Sequence, residues 1–308
     1  MLVVKRMSWP NLADLLTHDD GAPVGLVGVP LAAGSVTPGR CDMAPAELRR
    51  AMRRMGRYNV ETRRDLSARI QDHGDVDLFQ LGIEQAFNPI RDAVAASVSA
   101  HALTLLIGGN NAVTRPGVHG LGRSLGLALD KVGLITLDAH FDMRDTSEGL
   151  SNGNPVRALI EDGLPGANIA QIGLAPFANS KVMHDDALAA GNLVITLGEV
   201  REQGMLAAVD RALDHVAHCQ ALLVDCDIDA IDRAQFPGAP GARAGGMDAA
   251  DFFAASRRLA AEPRVKVIDL TEWDPPIDAT DLSALTAARW LAELLSGFEA
   301  RAPTGSGR

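Results

Sequence analysis

Short runs of four to six apolar residues recur along the chain, separated by loops and by segments of helical period. The runs cover 24–29 (VGLVGV), 103–107 (LTLLI), 132–137 (VGLITL), 169–172, 193–196, 221–226 (ALLVDC) and 265–270 (VKVIDL). Most are continuous rather than alternating, which suits strands covered on both faces, as in a parallel sheet. A helix is expected after Asp42, with Pro45 in its first turn and Arg49, Arg50, Arg53 and Arg54 late, the order the helix dipole favours. Another is expected over about 281–295, where Leu282, Leu285, Leu291, Leu294 and Leu295 share one face. Alternating β and α elements predict an α/β fold: one three-layer domain with a mainly parallel sheet, spanning 1–300, with 301–308 as a flexible tail.

Composition narrows the function classes. Hydrophobic residues make up 47% of 308 and charged residues 22%, enough to bury a full core and to exclude disorder or a coiled coil. Aromatics are only 4%, so that core is aliphatic. The net charge of −10 has the wrong sign for nucleic-acid or anionic-membrane binding, and an anionic substrate would need a local basic residue. Cys41, Cys219 and Cys226 form no CxxC and cannot all pair, so a reduced, cytoplasmic setting is expected. Trp9 and Pro10 interrupt the stretch where a signal peptide would be apolar, and no apolar run is long enough to cross a membrane.

In open α/β sheets, ligands bind beyond the carboxyl ends of the strands, so the residues there carry the candidate chemistry. Asp138-Ala139-His140-Phe141-Asp142 follows one run; Asp225-Cys226-Asp227-Ile228-Asp229, then Asp232, closes another; Gly108-Gly109-Asn110-Asn111 follows a third. Acids this dense repel one another unless a counter-charge is present, and a divalent cation or a pair supplies it. In extended backbone, positions i, i+2 and i+4 project to one side, so Asp138, His140 and Asp142 can converge, as can Asp227 and Asp229. Carboxylates with one imidazole and no thiolate suit a cation such as Mn2+.

These motifs resemble the ureohydrolase superfamily of arginase, agmatinase, guanidino-acid hydrolases and formimidoylglutamase. Gly28-Val29-Pro30, Ala44-Pro45, Gln171-Ile172-Gly173 and Thr271-Glu272-Trp273-Asp274-Pro275 extend the resemblance along most of the chain. It implies a parallel sheet of about eight strands, two Mn2+ per subunit, a small-molecule amidine or guanidino substrate and a homo-oligomer. It further implies Asp138, His140, Asp142, Asp227 and Asp229 as metal ligands, with Asp138 and Asp227 bridging. Asp142 then orients the attacking water, and Glu272 pairs with the cationic end of the substrate; an ordinary strand-end surface acid is the competing reading of Glu272.

Two departures stand out. Most relatives carry His where this chain has Asn111, whose amide oxygen would hold a weaker, more exchangeable metal. Arginase and agmatinase carry a proton-shuttling His at Asn152, and an asparagine cannot shuttle a proton. Asn152 and Asn154 then either bind substrate or only shape a turn. Arg144 gives a DAHxDxR pattern that looks like formimidoylglutamase, whose substrate carries two carboxylates. A guanidinium there can grip a carboxylate and would repel agmatine's ammonium, unless Arg144 pairs with Asp145 or Glu148 on its own loop. Arg115 and Arg157 are further basic candidates, and His119 a substitute shuttle. The other histidines read as surface or helix residues, and Cys226 as buried and inert. The expected reaction is hydrolysis of N-formimidoyl-L-glutamate to L-glutamate and formamide. An agmatinase or guanidino-acid hydrolase stands as the alternative, and a non-catalytic metal-binding homologue as a third reading.

Overall fold

In the computed structural model, which describes residues 9–301, every apolar run singled out above is a strand. The strands in chain order are β1 (Leu16–Thr17), β2 (Val24–Val29), β3 (Tyr58–Asn59), β4 (Arg64–Asp65), β5 (Ile70–Asp75), β6 (Leu103–Gly108), β7 (Val132–Leu137), β8 (Ile169–Leu174), β9 (Leu193–Thr196), β10 (Ala221–Asp227) and β11 (Val265–Thr271). Nine form one sheet in the order β1-β5-β2-β6-β11-β10-β7-β8-β9, with every pairing parallel. β3 and β4 make a small antiparallel ribbon apart from it. The expected eight strands become nine through β1, a two-residue edge strand.

The sheet is covered on both sides, which is why its central strands carry no polar alternation. Leu103, Leu105 and Ile107 of β6 point to one apolar layer, where helices Ala44–Ala51, Met205–His215, Ala249–Ala260 and Leu282–Glu299 pack. Leu106, with Val132 and Leu134 of β7, points to the other, under helices Ile83–Ala100, Thr114–Leu125 and Pro155–Glu161. Each fully buried leucine or valine of these layers contributes roughly 1.5–3 kcal/mol. The helix expected after Asp42 stops at Ala51, and Arg53 and Arg54 fall in a following 3-10 turn. No helix of the described residues is long and apolar enough to cross a membrane.

Two expectations are corrected here. Arg301, assigned to the tail, is anchored: its guanidinium donates to Ala260 O and Val265 O at 2.8 Å and to Ala102 O at 3.3 Å. The rest of the tail, and most of the amino-terminal stretch read for a leader, lie outside the described residues. His101, assigned to the surface or a helix, is buried at the end of a helix; its Nδ1 contacts Ala22 O and its Nε2 contacts His73 Nε2, both at 2.8 Å.

Candidate active site

The register sets the site. β6, β11, β10 and β7 are consecutive in the sheet, so their carboxyl ends bring Asn111, Glu272, Asp227–Asp229 and Asp138–Asp142 to one place. They fall into two groups of mutually close ligand atoms: Asp138, His140 and Asp229, and Asp138, Asp142 and Asp227. Asp138 belongs to both groups, Asp227 to the second. The carboxylates are fixed from behind, since Asp138 Oδ1 accepts from His140 N at 2.7 Å and Asp227 Oδ1 from Asp229 N at 3.0 Å. His140 Nδ1 lies 3.1 Å from Asp229 Oδ2 and 3.5 Å from Asp138 Oδ1.

The electrostatics are those of crowded acids out of water. Burial pushes Asp138 up to about 6 and Glu272 up to about 7, and drives Asp142 and Asp227 well above the usual carboxylate range, with the neighbouring acids adding to it. Burial would also raise Asp229, but His140 beside it wins and holds it low. The same contact, chiefly the Asp229 charge, pushes His140 up to about 12 against the cost of burial. Asp138 Oδ2 and Asp229 Oδ1 are buried with no hydrogen-bond partner. Orphaned carboxylate oxygens, one imidazole and no thiolate match the donor preferences of a hard-to-borderline divalent cation, so these residues fit a pair of Mn2+ ions.

Asp142 and Glu272 share a further mark. Both have left-handed backbones, φ 52° and 60°, where a residue with a Cβ is strained. Such strain persists only where the surroundings enforce it. Glu272 is buried, which removes the reading of it as a surface acid: its Oε1 accepts from Asn111 N at 2.7 Å and from Asn152 Nδ2 at 2.9 Å.

Asn111 is bonded through both atoms of its amide. Its Nδ2 donates to Asp142 Oδ2 at 2.5 Å, and its Oδ1 accepts from Thr114 Oγ1 at 2.7 Å. In this orientation the amide oxygen faces the threonine and the amide nitrogen faces Asp142. Asn152 lines the cavity and ties it together, accepting Val36 N at 2.7 Å while donating to Glu272. Asn154 is not a cavity residue: its Oδ1 accepts from Ser151 N and its Nδ2 donates to Gly149 O and Asp145 O, so its side chain staples the loop.

The cavity above the acids holds about 170 Å3 and is lined by His140, Asp142, Asp227, Asp229, Glu272 and, at its wall, Arg144. Neither Asp145 nor Glu148 pairs with Arg144, and no ion pair forms at it among the described residues. Its stem lies on Gly153, where a Cβ would come within 2.7 Å of Arg144 Cδ. The other basic candidates sit elsewhere. Arg115 and His119 both bind Asp162, at 2.6 and 2.8 Å, and Arg157 binds Asp186, so His119 is not placed to shuttle protons. Cys226 is buried and its thiol is pushed well up by desolvation. Asp232 turns away to cap Gly245 N and Gly246 N.

Two residues escape motif reading. Asp269 of β11 lies beneath the site, accepting from Cys226 N at 3.2 Å and Thr114 Oγ1 at 3.0 Å; an acid inside the run VKVIDL was its only signal. Arg243 lines the same cavity as Arg144 from a glycine-rich loop that carries no motif.

Comparison with known proteins agrees with this architecture. The arginase-family model matches residues 22–297. Formimidoylglutamase of Bacillus subtilis is 27% identical over 298 residues, covering 94% of this chain and 92% of that protein. Guanidinopropionase of Pseudomonas aeruginosa is 31% identical over 281 residues, covering 88% and 85%. Among solved structures, B. subtilis formimidoylglutamase superposes with a TM-score of 0.89 at 26% identity, covering 97% and 95% of the two chains. Trypanosoma cruzi formiminoglutamase, solved with (Mn2+)2, superposes at 0.87 with 24% identity, covering 95% and 99%. With four adjacent strand ends assembling two carboxylate-rich ligand groups in that fold, this chain is a member of the arginase family of hydrolases.

Proposed function

We propose that the protein hydrolyses N-formimidoyl-L-glutamate to L-glutamate and formamide, using two Mn2+ ions held by Asp138, His140, Asp142, Asp227 and Asp229. The observation that carries the substrate is Arg144: a guanidinium with no carboxylate partner among the described residues, on the wall of a cavity whose floor is acidic. That polarity suits a molecule with a cationic amidine at one end and carboxylate at the other. The B. subtilis relative carries the same activity in its name.

When bound, the two ions would supply the Lewis acidity that makes a water nucleophilic near neutral pH. The remaining work belongs to the chain. Asp142, pinned by Asn111, orients the water toward the formimino carbon. Glu272 has Oε1 occupied by Asn111 and Asn152, which leaves Oε2 for the amidinium. As the water oxygen bonds to carbon, the bond between that carbon and the glutamate nitrogen breaks and the nitrogen takes up a proton. The water gives up that proton to Asp142, which hands it to the nitrogen, while Glu272 holds the amidinium. Three buried free cysteines and the acidic balance support a cytoplasmic setting, and the family resemblance supports a homo-oligomer.

A substrate series that varies only tail charge tests the reading. N-formimidoyl-L-glutamate should exceed agmatine in kcat/KM by at least about a hundredfold, since agmatine offers Arg144 a cation. Faster turnover of agmatine, or of 3-guanidinopropionate, would move the protein among the guanidino hydrolases.

A further inference from the structure

Apart from His140, the cavity is lined by two cations, Arg144 and Arg243, on different loops. Arg144 follows β7. Arg243 lies between β10 and helix Ala249–Ala260, on a loop whose glycines are set by close approach to the ligands. A Cβ at Gly241 would stand 1.9 Å from Asp229 Oδ2 and 3.2 Å from His140 Cε1, so that backbone presses directly on the first ligand group. Arg243 Nη1 donates back to Gly241 O at 2.7 Å, which holds its guanidinium beside the residue that abuts Asp229 and His140.

The loop is braced. Arg233 N donates to Arg243 O at 3.1 Å, Arg233 Nη1 to Ala239 O at 3.2 Å, and Asp232 Oδ2 accepts from Gly245 N at 2.6 Å. A backbone fixed in this way needs little ordering when a ligand arrives. Among the described residues Arg243 makes no ion pair, and its Nε and Nη2 have no protein partner. Two forked donors over an acidic floor, in a protein of net charge −10, have a use if the ligand brings two carboxylates.

We infer that Arg243 is a second carboxylate-binding residue that acts with Arg144 to select dicarboxylate over monocarboxylate amidines. The inference rests on the proposed function and names the part of the site that reads the second charge. Arg144 meets one carboxylate from the β7 side of the cavity and Arg243 the other from the β10 side. Arg243 touches substrate but takes no part in bond making.

The test compares the Mn2+-loaded full-length protein with R243M and R144M on three substrates: N-formimidoyl-L-glutamate, N-formimidoyl-L-glutamine, which lacks the side-chain charge, and N-formimidoyl-γ-aminobutyrate, which lacks the α-carboxylate. R243M should lose about ten- to hundredfold in kcat/KM on the dicarboxylate, mostly through KM, and far less on one of the two monocarboxylates. R144M should show the complementary pattern on the other. An equal loss on all three substrates, or none on the dicarboxylate, would overturn the assignment. If the wild type releases no formamide from any of the three, the proposed function fails by itself. Calorimetry with glutarate and butyrate then decides Arg243 separately: the wild type should bind glutarate more tightly and R243M should erase that preference, whereas an unchanged preference refutes it.

Discussion

Replacing Asp138 by asparagine should shift stability in opposite directions with and without Mn2+. Burial raises Asp138 from 3.8 to about 6. An acid whose folded-state value is raised favours its protonated form in the fold, so metal-free stability is full below about 4 and declines as pH climbs towards about 6. The deficit that remains at pH 7 is about 3 kcal/mol for a change of about two pH units. Asparagine carries no charge and keeps the Oδ1 acceptor for His140 N. For a chain of 308 residues the unfolding entropy is about 0.6 kcal/mol/K, so metal-free D138N should melt up to about 5 °C above the wild type at pH 7. The two should converge below pH 4. Asp138 belongs to both ligand groups, so the same change weakens both metal sites. At Mn2+ a hundredfold above the dissociation constant each site contributes about 3 kcal/mol, a rise of about 8 to 9 °C for two sites in the wild type. D138N should show less than half of it. Scanning calorimetry in EDTA and in Mn2+, with metal content measured on the same samples, reads both effects. A metal-free D138N that melts below the wild type, or one that gains the full Mn2+ increment, would refute the reasoning.

Three further outcomes are expected. Arg144→Met should raise KM for N-formimidoyl-L-glutamate by about ten- to hundredfold at nearly constant kcat, because it removes a contact made equally before and during the reaction; a fall confined to kcat would contradict this. Asn111→His should tighten one Mn2+ by roughly tenfold in a chelator competition, since an imidazole is a better donor than an amide that faces Thr114; no change would mean that position contacts no metal. Asp162→Asn should lower stability by about 2 kcal/mol near neutral pH. Burial would raise Asp162, yet Arg115 and His119 outweigh it and hold the group at about 2. The difference from the wild type should therefore be lost as pH falls from about 4 to about 2, and a pH-independent gap in urea melts would show that packing, not charge, is involved.

The sheet was legible where its strands are buried on both faces. β5 was not, because its sequence IQDHGD buries only Ile70 and sits next to the edge, and β1 is two residues long. The acids of the site stood out because DAHFD and DIDAID place like charges at strand ends with nothing nearby in sequence to neutralise them. What chain order cannot show is which way an amide turns. The Asn111 amide is set by Thr114 on its oxygen and Asp142 on its nitrogen, contacts from two separate segments. Asn154 looked equivalent to Asn152 for the same reason, although only Asn152 reaches Glu272. Arg243 was invisible because its loop is recognised only by what it packs on: Gly241 is explained by Asp229, which lies 12 positions earlier and across the cavity floor.

The most direct measurement is product analysis on N-formimidoyl-L-glutamate with the Mn2+-loaded protein, with the EDTA-stripped protein and with agmatine, 3-guanidinopropionate and arginine alongside. Formamide and glutamate in equal amounts from the formimidoyl substrate, lost on stripping and restored by Mn2+, with little urea from the guanidino compounds, is the predicted result. Urea from a guanidino substrate with no formamide, or no product from a fully loaded protein, would contradict it.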